Sequence, residues 1–98
     1  MKIVEILMKV AEFYFKSFKI YLNLFGENNS DVATLLDNNA RLLQNFGILE
    51  KAEMFYLKSL KIKQYLFGEN HADVATSLNN LRLLYKKLGN LEVAEEFI

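Results

Sequence analysis

The protein has 98 residues, 52% of them hydrophobic, which is enough for one small domain and too apolar for a disordered segment. Twelve basic side chains balance twelve acidic ones, and this argues against a nucleic-acid-binding module, which would carry a basic excess on one face. The absence of cysteine excludes a disulfide framework, a thiolate metal site and a cysteine nucleophile.

The first predicted element is a long helix over residues 2–24. Its charged residues recur at steps of three and four and form one stripe along the helix, made of Lys2, Glu5, Lys9, Glu12, Lys16 and Lys19. Six charges in 18 residues exclude a membrane-spanning helix. The helix also contains no uninterrupted apolar run of the kind that is typical of a signal peptide. The sequence favours a helix that is buried on most of its circumference, with attachment to a membrane surface as the alternative.

An internal repeat of 42 residues dominates the chain. Residues 25–34 return as residues 67–76 with eight of ten positions identical, and sliding the whole sequence by 42 gives 27 identities in 56 pairs. Four glycines divide each unit in half at intervals of 21 residues: Gly26, Gly47, Gly68 and Gly89. A period of this length is typical of a solenoid, in which each unit buries its apolar face against its neighbours.

Helical hairpins are the predicted repeating unit. Apolar residues at helical spacing predict further helices at 30–46, 48–66, 72–88 and 90–98. Gly47 and Gly89 are predicted to be left-handed residues that end one helix and open a tight turn. Asn29 and His71 fall at equivalent N-cap positions. Because every link is short, we expect consecutive helices to be antiparallel neighbours.

The most specific motif is Asp73-Val-Ala-Thr-Ser-Leu-Asn-Asn-Leu-Arg-Leu-Leu-Tyr85, followed by Gly89 and Glu92-Val-Ala-Glu95. These residues resemble the tetratricopeptide repeat of kinesin light chains, which has a 42-residue period and a Gly-x-x-His-Pro-Asp-Val-Ala junction between loop and helix. The resemblance covers essentially the whole chain. It implies an all-α fold, a right-handed α-solenoid of antiparallel helix hairpins with about two and a half repeats.

The register of that family divides the single repeat segment, residues 1–98, into three parts. Residues 1–24 are expected to be the second helix of a unit whose first helix is missing. Residues 30–67 are expected to form a full hairpin, and residues 72–98 a second hairpin that is truncated. These features fit a terminal or decaying segment of a longer array.

Two substitutions depart from the family's pattern. Asn39 lies where the motif has an inward leucine, and Arg82 lies where a small residue lets two helices approach closely. Both are expected to weaken packing, unless Arg82 lays its stem along apolar surface and keeps its head in water. The first helix also carries more aromatic surface than one neighbour can cover, and a large apolar patch usually marks an interface. We therefore expect either self-association end to end or a place within a longer array.

The sequence offers no catalytic, metal or cofactor site. The single histidine, His71, lies in a loop and is expected to act as a cap, so no Ser/His/Asp set is credible. Glu95 and Glu96 are adjacent and point apart on a helix. The loops lack the clustered glycines of a phosphate-binding loop. An accessory role to an enzyme would need a catalytic domain outside these residues.

A peptide-binding surface is the predicted site, because the resemblance implies that the first helix of each hairpin lines a concave face. The implied inward residues are Thr34, Asp37, Asn38, Arg41 and Asn45 in one unit and Thr76, Asn79, Asn80, Leu83 and Lys87 in the next. The spacing supports this independently, since the polar residues of the first unit lie opposite its leucines. An asparagine amide can both donate to and accept from a peptide backbone, and Arg41 and Lys87 suit an acidic group. Plain solvation of these side chains is the alternative.

We therefore predict a non-catalytic scaffold for protein–protein interaction that presents a concave helical groove to an extended peptide. The alternative is a purely structural segment that caps or extends a larger array. The predicted partner is a protein or peptide, with no nucleic acid and no membrane, and homo-oligomers through the apolar ends are a further expectation. A cytoplasmic location agrees with the lack of cysteine.

Overall fold

The computed structural model describes residues 2–96, and the side chains of residues 2–90. This part of the chain is all-α, as predicted, with α1 at Ile3–Phe25, α2 at Ser30–Asn45, α3 at Leu49–Phe67 and α4 at Ala72–Glu96. Each helix packs on the next, so the helices form a solenoid. The radius of gyration is 15.1 Å, against about 13 Å for a globular domain of this length, which fits an extended stack. None of the helices in residues 2–96 is long and apolar enough to cross a membrane.

Side-chain caps begin α2 and α4, and both caps were predicted. The Asp31 backbone N–H donates to Asn29 Oδ1 at 2.7 Å. In the second unit the Asp73 backbone N–H donates to His71 Nδ1 at 3.0 Å. The His71 ring also stacks on Phe67, with 4.4 Å between the ring centroids. Each cap satisfies an N–H group that has no partner within its own helix.

Gly47 closes the α2–α3 hairpin in the predicted way. Its φ of 79° lies in the left-handed region, which favours glycine. The Ile48 N–H donates to the carbonyl of Leu43 at 2.9 Å, and the Gly47 N–H donates to the carbonyl of Gln44 at 3.0 Å. These two bonds satisfy carbonyl groups at the end of α2 and reverse the chain direction.

The predicted turn at Gly89 is wrong, because α4 continues through this residue to Glu96. Residues 97 and 98 of the helix predicted at 90–98 lie outside the described residues. Continuing a helix adds one hydrogen bond per residue without a new nucleus, whereas a reversal needs a second helix that buries a face. At Gly47 the 19 residues of α3 follow the turn and bury Ala52, Tyr56 and Ile62.

The core consists of two groups of buried residues. The first joins α2, α3 and α4 and contains Ala40, Ala52, Tyr56, Leu81 and Leu84. The second lies mainly between α2 and α3 and contains Val32, Ala33, Leu36 and Ile62, with half-buried residues of α1 packed against it. No described residue of α1 is fully buried. The centre of stability is therefore the α2–α3 hairpin. α1 is the least covered helix, so the expectation that it is buried on most of its circumference is wrong.

The two departures from the family's pattern lie in different surroundings. Arg82 is exposed, and its Nε and Nη2 donate to Asn79 Oδ1 at 3.1 and 3.0 Å. The head of Arg82 therefore stays at the surface, which is one of the two conditions under which this arginine is expected not to weaken the packing. Asn39 is half-buried on α2.

Tyr14 of α1 has a buried hydroxyl group without a hydrogen-bond partner among the described residues. Its ring stacks on Phe18 and meets Phe55 edge-on, with centroids 5.7 and 6.0 Å away. Burial raises the pKa of Tyr14 to about 12. We expect Tyr14→Phe to keep these ring contacts and to raise the free energy of unfolding by about 1 kcal/mol at neutral pH, since it removes an unsatisfied polar atom.

The same substitution should change the alkaline stability. The pKa of Tyr14 is higher in the folded state than in the unfolded state. The free energy of unfolding that depends on the protonated hydroxyl group is therefore fully present below pH 10, and it is lost as the pH rises towards about 12. Urea unfolding of both proteins between pH 8 and pH 11 measures this, and the advantage of Tyr14→Phe should grow with pH. A destabilised Tyr14→Phe protein would mean that the hydroxyl group has a partner.

Candidate functional site

Four of the five residues predicted for the groove on α2 lie together on its exposed side. All four are exposed: Thr34, Asn38, Arg41 and Asn45. The buried residues of this helix lie on the opposite side, at Val32, Ala33, Leu36, Asp37 and Ala40. α2 therefore presents a continuous polar stripe, as its amphipathic spacing requires.

The equivalent side of α4 is also accessible. Its predicted residues are exposed, apart from the half-buried Asn80, and comprise Thr76, Asn79, Asn80, Leu83 and Lys87. Leu83 is 42% exposed and lies 42 positions after Arg41. The two stripes are thus similar in position and different in chemistry, because the second contains an apolar residue where the first has a guanidinium group.

Several of these side chains already have partners within their own helix. The Thr34 hydroxyl donates to the carbonyl of Ser30 at 3.0 Å, and the Thr76 hydroxyl donates to the carbonyl of Ala72 at 3.1 Å. A hydroxyl that donates inward keeps only its acceptor capacity for a ligand. The threonines are therefore weaker candidates for ligand contact than Asn38 and Asn80, for whose side chains the described hydrogen bonds include none.

Asn79 is also a weaker candidate, because its carbonyl oxygen accepts both bonds from Arg82. Its amide N–H groups remain as donors. The residue 42 positions earlier is Asp37, which faces the interior of the hairpin. Asn79 lies at the edge of the polar stripe.

One cleft brings the two stripes together. Asn45 of α2 and Lys87 of α4 line the same opening of about 350 Å³. Its other lining residues are Gln44, Gly47, Leu49 and Asn90. An amide and an ammonium group at one opening can bind a carboxylate or a peptide carbonyl. Among the predicted residues, Asn45 and Lys87 are the pair from two different helices that lines one opening.

Asp37 does not belong to the groove, so the position that the family resemblance implied for this residue is wrong. It is buried, and its Oδ2 accepts from Lys63 Nζ of α3 at 2.7 Å, with side chains 10% and 11% exposed. Asp37 Oδ1 has no partner among the described residues. The signal for this pair was a charged residue on the apolar side of each helix. The pair joins the two helices of the hairpin and is closed to a ligand.

Arg41 lies beside a buried hydroxyl group as well as at the surface. The Tyr56 hydroxyl donates to Gln44 Oε1 at 3.1 Å. Burial raises the pKa of Tyr56, the positive charge of Arg41 opposes this rise, and the negative charge of Asp37 adds to it. Arg41 therefore lies at the border between the polar stripe and the core.

A second cleft, of about 560 Å³, lies between α1 and α3 and was not predicted. Its apolar lining includes Phe18, Leu22, Val32, Leu36 and Ile62, and its rim carries Glu27, Asn28, Lys58 and Lys61. The sequence signal that could have pointed to this cleft is the recurrence of Lys16 and Lys19 of α1 as Lys58 and Lys61 of α3, 42 residues later. Three of the apolar side chains are almost fully buried, so little of them is open to a ligand.

The described residues contain no group of three His, Asp or Glu side chains placed to hold a metal ion. The nitrogen of His71 that accepts from Asp73 serves the cap of α4. The exposed polar stripe on α2 and α4 remains the candidate site.

The comparisons with known proteins agree with this architecture. The family model described as tetratricopeptide repeat matches residues 31–98. Among solved structures, BtubC (BKLC) from P. vanneervenii is similar, with 38% sequence identity and a TM-score of 0.73. The match covers 81% of this chain and 31% of that one, so this chain spans about a third of the length of BtubC. A search of curated protein sequences finds no match.

Proposed function

The chain belongs to the tetratricopeptide repeat family, whose members generally mediate protein–protein interaction, and we propose that it binds an extended peptide along the polar stripes of α2 and α4. The observation that carries the proposal is the cleft that Asn45 and Lys87 line together. The accessibility of the other predicted residues supports it. In this proposal the protein acts by binding and has no catalytic step.

The chemistry of the stripes suggests which groups a ligand would offer. Asn38 and Asn80 would hold the peptide main chain, since each amide presents a donor and an acceptor. Arg41 and Lys87 would pair with acidic side chains or with a terminal carboxylate. Leu83 would contact an apolar side chain. The preferred ligand is an acidic peptide with at least one apolar residue.

The alternative proposal is a structural segment that caps or extends a repeat array and binds no peptide. The uncovered helix α1 supports it, since this helix has no fully buried residue. A cytoplasmic location and the absence of nucleic-acid binding stay predictions from composition.

Selection of peptides from a random library on the purified protein tests the groove. We expect the selection to yield acidic peptides. Their dissociation constants should be roughly tenfold higher or more for Asn80→Ala and for Arg41→Glu, because each variant loses a hydrogen bond or ion pair with the peptide. Fluorescence anisotropy measures the affinity. Thermal unfolding should change little, because both positions are at least partly exposed.

Lys61→Glu is the matched control for Arg41→Glu, because it reverses the charge of an exposed residue on α3, outside the stripes. It should leave the affinity unchanged. Equal losses in Arg41→Glu and Lys61→Glu would indicate attraction by overall charge and not a groove. Parallel losses of binding and melting temperature would also count against the groove.

A further inference from the structure

Helix α1 shares many residues with α3 at a distance of 42 positions, but the described residues cover it less than they cover α3. Phe13 is 65% exposed, while Phe55, which lies 42 positions later, is half-buried. Ile20 is 57% exposed, while its counterpart Ile62 is 6% exposed. The residue types are the same in both pairs, so the difference arises from the surroundings. We call the side of α1 that carries Phe13 and Ile20 the α1 flank.

The hairpin shows what such a flank binds. Ile62 packs in one buried group with Val32, Ala33 and Leu36 of α2, and Phe55 packs against the same group. The complement of this side of α3 is therefore a mainly apolar face of α2, which also carries the buried Asp37. A helix with the same face would cover the α1 flank.

The described residues contain a second copy of that face, on α4. Ala33 and Leu36 of α2 are 0% and 2% exposed and lie in one buried group with Ile62 of α3. Their counterparts 42 positions later are Ala75, which is exposed, and Leu78, which is 50% exposed. α4 uses a different side, with Val74, Ser77, Leu81 and Leu84 fully or almost fully buried. We call the side with Ala75 and Leu78 the open face of α4.

We propose that the α1 flank of one molecule packs on the open face of α4 of a second copy, in the manner in which α3 packs on α2. The template for this contact is an interface that the chain already forms within itself. The two surfaces differ, so the contact is heterologous and runs head to tail. Further copies can add at either end, and the solenoid continues across molecules. Contact between unlike faces also covers both apolar patches.

One residue weakens this contact. Arg82 lies on the open face of α4 where α2 has the fully buried Ala40. A close approach of a second helix must displace its head from Asn79. The association is therefore weaker than the contact within the hairpin. Arg82→Ala restores the small residue and should lower the dissociation constant roughly tenfold.

Sedimentation velocity over a wide concentration range tests the proposal with two blocked variants. The first, Phe13→Glu/Ile20→Glu, charges the α1 flank, and the second, Leu78→Glu, charges the open face of α4. Phe15→Glu is the matched control, because Phe15 is 56% exposed on α1 and its counterpart Leu57 remains 39% exposed in the hairpin. Circular dichroism confirms that each variant is folded.

We expect the unmodified chain and Phe15→Glu to associate with rising concentration, and each blocked variant alone to be a monomer. An equimolar mixture of the two blocked variants should form a 1:1 dimer, since one open face of α4 and one α1 flank remain. A monomeric unmodified chain at several hundred micromolar would overturn the proposal. So would association of Leu78→Glu alone, which would indicate contact between two α1 helices, or a mixture that stays monomeric. Arg41→Glu should leave the association unchanged, which separates this result from the peptide proposal.

Discussion

Lys63→Met is expected to lower the free energy of unfolding by about 3–5 kcal/mol, a large part of the stability of a domain of this size. The side chain of Asp37 is 10% exposed, and the Lys63 ammonium group is its described partner at 2.7 Å. Removing that group leaves a mostly buried carboxylate in the hairpin interface without its described counter-ion. Urea unfolding followed by circular dichroism measures the loss.

The matched control for Lys63→Met is the double substitution Asp37→Leu/Lys63→Met, which removes both charges. Two apolar side chains need no desolvation of an ion, so the double variant should recover most of the stability lost in the single one. A double-mutant cycle with Asp37→Leu gives the coupling energy. A single variant as stable as the unmodified protein would mean that water reaches Asp37.

Ala40→Arg is expected to be the most damaging substitution in the core and to lower the free energy of unfolding by at least about 3 kcal/mol. Ala40 is fully buried and belongs to one buried group with Ala52 and Tyr56 of α3. An arginine there adds volume to a packed interface and brings a charge into it without a partner. We expect a largely unfolded chain at 37 °C, measured by circular dichroism at 222 nm and by thermal unfolding.

Arg82→Ala makes the reverse exchange at the equivalent position of α4 and is the matched control. Its side chain is exposed, so we expect a change within about 0.5 kcal/mol at a concentration where the chain is monomeric. Similar effects of both substitutions would contradict the assignment of an open face to α4. The pair therefore tests the hairpin interface and the proposed contact between copies independently.

The two proposed surfaces share one helix, α4, and lie on different sides of it. On α4, the residues of the peptide stripe include Asn80 and Lys87, while the open face carries Ala75 and Leu78. A molecule joined to a second copy would therefore keep its polar stripe exposed. Association would lengthen the stripe, and a peptide longer than one molecule would bind several copies through linked contacts.

The architecture of the protein could be predicted from its sequence. The 42-residue repeat and the amphipathic spacing predicted α1, α2 and α3 to within one residue at each end. Asn29 and His71 marked the two side-chain caps. These features depend on residues close together in the chain, whose contacts follow from helical geometry alone.

Which of the equivalent positions are buried depends on the packing of the helices and could not be predicted from the repeat. Gly47 and Gly89 share one place in the repeat, yet only Gly47 turns the chain, because a full helix follows it and repays the reversal by packing. Asp37 fits the polar stripe by resemblance, yet its partner is Lys63, 26 residues away. Phe13 and Phe55 are identical and differ in exposure. In a solenoid a side chain is covered by the neighbouring helix, and the residue itself carries no information on whether that neighbour is present.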